Sequence, residues 1–273
     1  MKRKALLGMI FILLIPSVSF LNAQFTPEEL ALRPKLEEFL KTADIVKAKD
    51  IGEGVTKPCK LDMKKGEEEH SGCWKNPSGM QKGFLEGWQY EIAAYEMDKL
   101  LGLNMIPPTV EREFEGKRGS LQFWITSEMS DLERMEKGIR IPQKNLESWN
   151  KQKYLTRAFD CLIANEDRTQ QNIRYTDDWR TILIDHSRSF RSNDKFKKQL
   201  VFGKRGLLAQ KLFRRLPKVF VEKVRSLNFD TIKQAVGPYL SDEEIEAILV
   251  RKDLLLEEIG EMIKEKGESK VLY

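Results

Sequence analysis

The chain has 273 residues, 41% hydrophobic and 33% charged, with a formal net charge of +5 and a mean hydropathy of −0.48. That length supports a sizeable core in one large domain or two small ones, and the composition excludes a disordered, collagen-like or multi-span membrane chain. Three cysteines are too few for a disulfide scaffold.

Residues 1–23 read as an export signal. Lys2, Arg3 and Lys4 form a positive start, Ala5 to Ile15 is an apolar run of eleven residues, and Pro16 breaks it. Leu21-Asn22-Ala23 then sets a small residue before Gln24, the expected cut. The run is short of the ~20 apolar residues of a spanning helix. An uncleaved anchor over Ala5 to Leu21 is the alternative, and only then would the protein hold a membrane. Either way the body lies outside the cytosol, in a periplasm, secreted or in a secretory lumen. Without this segment the excess of positive charge falls to +2. The balance is therefore no footprint for nucleic acid, and no such partner is expected.

Pro27 to Lys41 reads as a helix, with Thr26 as N-cap, Pro27 in the first turn and Glu29 completing a capping box. Ile45 to Ile51 alternates as a strand does. Gly52-Glu53-Gly54 follows, then a second strand over Val55 to Met63, a charged turn around Gly66 and a third strand over His70 to Lys75. Cys59 and Cys73 are equidistant from Gly66, so a symmetric hairpin would face them and admit a disulfide in an exported protein. Cys161, in an apolar helix, reads as a buried thiol. Gly87 to Leu103 has helical spacing at Ala93, Met97, Leu100 and Leu101, and Gly102 with Pro107-Pro108 ends it. Thr109 to Glu115 and Ser120 to Thr126 form two strands around a glycine turn. After its leading helix the first half is thus β-β-β-α-β-β.

The second half is mainly helical. Trp149 to Ala164 is a helix, Asn165 to Asn172 a polar loop, and Ile173-Arg174-Tyr175 with Arg180 to Ile184 a short hairpin ending at Asp185. After Phe190 the chain reads as irregular to about Gly206, and the basic stretch from Arg188 to Arg215 suits an acidic or phosphorylated partner, anionic lipid headgroups, or a solvated loop and helix face. Two or three helices close the chain, the last with a Ser241/Glu244 capping box.

The polar loop carries the chemistry. Asp167 and Asn172 stand five apart, and the hairpin returns Asp185 thirteen residues later. Phosphoryl transfer needs such a set: one carboxylate to orient the attacking hydroxyl, and hard oxygens to hold magnesium against the phosphates. The plain alternative is that Asp167 pairs with Arg168 and Asp185 caps a turn.

Asp167-Arg168-x-x-x-Asn172 resembles the D-R-x-x-x-N catalytic loop of phosphoinositide kinases, and it is similar to that of HipA-type bacterial kinases and secreted Golgi-type kinases. Ile184-Asp185-His186 resembles their apolar strand with its metal-binding Asp, although His186-Ser187 replaces the Phe-Gly of protein kinases. Leu100 to Leu103 through Pro107 to Val110 resembles the helix-to-strand joint of atypical bacterial kinases. The resemblance implies an α+β, two-lobed kinase-like fold. Its small β-rich N-lobe with one key helix would span residues 24–130, and its larger helical C-lobe residues 131–273.

The resemblance also implies roles. Gly52 and Gly54 would let the backbone approach phosphates. Lys75 would hold the nucleotide, with Lys57, Lys60 and Lys82 as rivals, and Glu91 would pair that lysine. Asp167 would serve the acceptor hydroxyl, with Arg168 positioning the loop. Asn172 and Asp185 would bind Mg²⁺ or Mn²⁺, with His186 in a supporting hydrogen bond. The expected activity is transfer of the γ-phosphate of ATP to a hydroxyl of an acceptor, whose acidic character the basic stretch would suit. An exported binding module without transfer, and an AMP transferase on the same site, are the alternatives.

Overall fold

The computed structural model describes residues 25–52, 58–81, 83–127, 129–204, 206–208 and 214–273. The export signal, Glu53, Gly54, Lys57, Lys82, Arg205 and Lys211 lie outside them. The chain folds as a β-sheet N-lobe and a helical C-lobe, the α+β class expected.

Helix α1 (Pro27–Thr42) starts as its capping box dictates, with Thr26 accepting from the Glu29 N–H and the Glu29 side chain accepting from the Thr26 N–H. It packs on an antiparallel sheet of β1 (Asp44–Asp50), β2 (Cys59–Lys65), β3 (Glu68–Lys75), β7 (Lys117–Phe123) and β6 (Thr109–Phe114), in that order. Phe39, Leu40, Leu61, Met63, Trp74, Val110 and Leu121 form the core of this layer. Between β3 and β6 the chain makes a hairpin, β4 (Ser78–Gln81) and β5 (Phe84–Gly87), and then helix α2 (Trp88–Leu101), which Gly102 stops at φ +67°.

Helix α2 belongs to a second, larger core. Its Ala93, Ala94, Met97 and Leu101 join Phe159, Leu162 and Ile163 of α4 (Leu146–Ile163) and Ile245, Ile248 and Ile259 of α8 (Asp242–Lys266). A small sheet of β8 (Met129–Ser130), β9 (Ile173–Tyr175) and β10 (Thr181–Leu183) lies beside α3 (Asp131–Glu136). Helices α5 (Asp194–Lys198), α6 (Lys218–Ser226), α7 (Phe229–Val236) and α9 (Glu268–Val271) complete the lobe. The short α3 and α5 and the β4–β5 hairpin lack the periodicity that sequence reading relies on, and the sequence alone does not predict them.

The hairpin of β2 and β3 corrects the cysteine expectation. Lys65 pairs with Glu68 and Cys59 pairs with Trp74, so the turn is Gly66-Glu67, with Gly66 at φ +63°. The turn's centre falls after Gly66 rather than on it. That shift sets Cys59 and Cys73 on opposite faces of the sheet, because facing alternates along a strand. All three cysteines are free thiols. His70 lies in β3, as expected, between the rings of Phe39 and Phe123.

Two measurements test this fold. After denaturation, alkylation should reach Cys59 and Cys73 equally with and without reductant; a mass that rises only with reductant would restore the disulfide. Asp98 of α2 is fully buried, with Oδ1 accepting from the Met105 N–H at 2.8 Å and Oδ2 without a partner. Burial pushes its carboxyl up to about 7, against the Met105 bond and the charge of Arg33. A carboxyl raised in the folded state binds its proton more tightly there, so its contribution to stability falls as pH rises from about 4 through 7. Asp98→Asn should therefore match or exceed the parent's thermal midpoint at pH 8 and show no advantage at pH 5. An equal offset at both pH values would refute this.

Candidate active site

Lys75 ends β3 and projects from the sheet toward α2. Its Nζ donates to Glu91 Oε1 and to Asp185 Oδ1, each at 2.9 Å. Burial alone would lower the Lys75 ammonium, but the charges of Asp185 and Glu91 outweigh it and hold its pKa well above the ordinary value. Burial likewise works against the Glu91 carboxylate, yet the Lys75 charge and His186, whose backbone N–H bonds it, hold it well below the usual carboxylate range. The two shifts agree in sense: both groups are charged across the ordinary pH range. Of the rival lysines, Lys60 lies over the Trp124 ring and beside Asp62, away from Glu91.

Asp185 follows β10 at φ +60°, a left-handed conformation that Asp tolerates better than most residues. The Ile184 N–H bonds the Asn172 carbonyl at 3.1 Å, and the His186 N–H bonds Glu91 Oε2 at 2.9 Å. These bonds bracket the turn and aim its carboxylate at Lys75. The same brackets bring the Asp167–Asn172 loop against it.

That loop is held from inside. Arg168 donates to Asp160 through Nη2 and Nε, to the Ile184 carbonyl at 2.8 Å and to the Asn172 carbonyl at 3.3 Å. Its Nη2 also stands 2.8 Å from His186 Nε2. Arginine can only donate, so Nε2 accepts and the His186 proton sits on Nδ1, which faces Glu91 Oε2 at 3.7 Å. Burial and the Arg168 charge push the His186 pKa down, which suits this neutral ring. The Asn172 amide donates to the Asp167 carbonyl at 3.0 Å, closing the loop. Asp167 keeps its carboxylate partly exposed, and burial raises its pKa against the charge of Arg188.

The structure thus brings together Lys75, Glu91, Asp167, Arg168, Asn172 and Asp185. Gly52 lies on the exposed β1–β2 connection at φ +71°, its N–H bonded to Asp50 Oδ1; Gly54 is among the residues not described. Several lysines of the basic stretch are paired: Lys195 with Glu166, Lys197 with Glu243, Lys198 with Asp194 and Lys204 with Glu265.

Sequence reading missed three partners. Asp160 is an isolated acid between Phe159 and Cys161 of α4, and that placement was a readable sign of a buried cation nearby. Glu86 of β5 and Arg188 pair across the site at 2.7 Å, and Arg188 also reaches Asp167 Oδ2 at 3.0 Å. No local pattern signals that pair.

No protein-family model and no curated protein matches this chain in sequence. Solved structures do match it. The chain is similar to a hydra Fam20 protein solved with sugar, with a TM-score of 0.67 and 17% identity over 92% of this chain and 94% of that one. It is similar to the Golgi casein kinase, with a TM-score of 0.63 and 14% identity over 92% and 79% of the two chains. The same kinase with Mn and ADP bound gives 0.63 and 15% over 92% and 80%. At these identities the likeness is one of fold: the chain has the two-lobed, atypical kinase-like fold that its loop resemblance implied.

The buried Asp160–Arg168 pair gives a direct test. Asp160→Ala leaves an uncompensated buried guanidinium and should cost about 3–5 kcal/mol in urea unfolding. A loss under about 1 kcal/mol would show that the carbonyls alone hold Arg168.

Proposed function

We propose that this protein is an exported ATP-dependent phosphotransferase that moves the γ-phosphate of ATP to a hydroxyl of a protein, lipid or small-molecule acceptor. The observation that carries this reading is Lys75 bridging Glu91 and Asp185 beside the Asp167–Asn172 loop, in a kinase-like fold. A chain using the fold only as a scaffold has no need to keep a buried ammonium between two carboxylates, because such pairs seldom add stability over apolar packing.

In this reading Lys75, fixed by Glu91, holds the nucleotide phosphates, and Gly52 and Gly54 are the glycines that would leave the backbone room to approach them. Asp167 orients the acceptor hydroxyl and takes up its proton. Arg168 fixes the loop from within, with His186 as its neutral partner.

The donor set fits a hard cation. Asn172 and Asp185 offer oxygen atoms, and among the described residues no group of three or more His, Cys, Asp or Glu side chains is placed to hold a metal ion by itself. Two protein ligands completed by phosphate oxygens and water is the arrangement magnesium prefers. The Golgi kinase structure with Mn and ADP supports manganese and a nucleotide here. When bound, the cation would neutralise charge on the phosphate oxygens. The sugar in the hydra structure supports a hydroxyl-bearing acceptor, and the Golgi neighbour supports a secretory setting. No helix among the described residues is long and apolar enough to cross a membrane.

Asp185→Asn tests the reading, since Asn tolerates the left-handed backbone at this position. With ATP and Mn²⁺ the parent should release ADP and phosphorylate an acceptor, and the variant should lose about 10²-fold or more in kcat at a temperature where its far-UV circular dichroism and cooperative unfolding show a folded chain. Undiminished transfer would sink the assignment. Release of pyrophosphate by the parent would indicate AMP transfer, and nucleotide binding without either product would indicate a binding module.

A further inference from the structure

The Asp167 carboxylate has a single cation in ion-pair contact among the described residues, Arg188, whose Nη1 lies 3.0 Å from Oδ2. The site's other cations are committed elsewhere. Lys75 holds Glu91 and Asp185, and Arg168 is turned inward onto Asp160, His186 and two carbonyls. The loop itself offers Thr169-Gln170-Gln171 after Arg168, so no further cation stands on it.

Arg188 is anchored from outside the loop. Glu86, 2% exposed, accepts from its Nε at 2.8 Å and its Nη2 at 2.7 Å. The Phe84 ring lies 4.4 Å from Cζ, and the Gly87 N–H bonds the Ser187 carbonyl at 3.0 Å. The β4–β5 hairpin therefore holds this arginine by charge, by ring contact and through the backbone. These contacts engage Nε and one N–H on each terminal nitrogen, leaving two of the five donors unused, and the side chain stays 15% exposed. Closing a hairpin with a buried ion pair is costly when apolar residues would serve. A cation with unused donors beside the acceptor's carboxylate is, by contrast, what phosphoryl transfer demands, because charge there spreads over three equatorial oxygens.

We infer that Arg188 is a further catalytic residue whose unused donors contact the γ-phosphoryl group as it passes to the acceptor, with Glu86 as its positioning residue. This rests on the phosphotransferase reading. In the step, the acceptor oxygen bonds to phosphorus while the bond from phosphorus to the β–γ bridging oxygen breaks. The hydroxyl proton goes to Asp167, ADP leaves with the bridging electrons, and Arg188 neither gains nor loses a proton.

The test compares the full chain with Arg188→Ala, Arg188→Lys and Glu86→Gln in Mn²⁺. It measures kcat, the KM for ATP, and binding of ADP against a non-hydrolysable ATP analogue. Arg188→Ala should lower kcat about 10²–10⁴-fold with KM changed less than about fivefold, and Arg188→Lys should recover part of that loss. Glu86→Gln should cost about tenfold in kcat. The parent should prefer the ATP analogue over ADP, Arg188→Ala should lose that preference, and millimolar guanidinium should restore part of its turnover. Turnover of Arg188→Ala within about threefold of the parent, or above it, overturns the inference while leaving the phosphotransferase reading intact. A kcat loss with a collapsed thermal midpoint and no guanidinium rescue assigns a structural role and also overturns it. If the parent binds nucleotide but transfers nothing, the phosphotransferase reading fails, and the binding preference alone decides: its loss in Arg188→Ala upholds the γ-phosphate contact, and its retention overturns it.

Discussion

The contact on which the rest of the site depends is the Lys75 ammonium held between Glu91 and Asp185. It is the point where three separate stretches of chain meet: the end of β3, the first turn of α2 and the turn after β10. It also joins two hydrophobic cores. Lys75 stands on the sheet whose core is built from Phe39, Leu61 and Trp74, whereas Glu91 stands on a helix packed into the core of Phe159 and Ile248. Apolar packing is non-directional and would let the lobes settle at many angles. A buried charge with two fixed partners does not permit that freedom, because losing either carboxylate leaves the ammonium under-compensated.

From Lys75 the polar contacts continue as a chain. Glu91 accepts from the His186 backbone, the His186 ring accepts from Arg168, and Arg168 closes on Asp160 in the middle of α4. Each member is capped by the next, so no full charge in this chain stands buried alone. The neutral His186 ring is the necessary element. A protonated ring would have no lone pair on Nε2 to accept the Arg168 bond. The choice of His at the position after Asp185 is thereby tied to the orientation of the Asp167–Asn172 loop, which lies on the far side of the β9–β10 hairpin in chain order.

The parts legible in the sequence were those with a local cause. Capping boxes at Thr26 and Ser241, the glycine stop at Gly102 and the spacing of Asp167, Asn172 and Asp185 are all short-range patterns, and the structure shows each of them in place or brought together. What escaped was of two kinds. A half-residue difference in the centre of the Gly66 turn reversed the facing of Cys73 against Cys59, and hydrophobic alternation in so polar a hairpin cannot resolve so small a shift. Pairings across long separations, such as Glu86 with Arg188, leave no periodic trace at all. Asp160 falls between these cases. An acid flanked by Phe159 and Cys161 announces a partner without naming it.

The distribution of unfavourable terms is itself informative. Asp185 and Phe190 adopt left-handed backbone, at φ +60° each, on the segment that also carries His186 and Arg188. Such conformations cost roughly 1–3 kcal/mol for non-glycine residues. Behind that segment Arg251 of α8 is fully buried, its Nε on the Leu162 carbonyl at 2.9 Å and its Nη1 on the Arg191 carbonyl at 2.7 Å, and burial pulls its pKa down to about 9. Desolvated cations, strained backbone and paired buried carboxylates are thus gathered along residues 185–191 and the elements that hold them. The two hydrophobic cores supply the compensating burial. Left-handed Ala164 and Trp179 and the buried Asp98 show that local rules are broken elsewhere too, but along residues 185–191 several are broken together, as is expected where a chain is shaped for chemistry as well as for stability. Arg251 fits that pattern, because it ties the carbonyl ends of α4 and of the arginine-bearing segment to one rigid helix. The Asp167 loop, Asp185 and Arg188 are thereby held in one fixed relation.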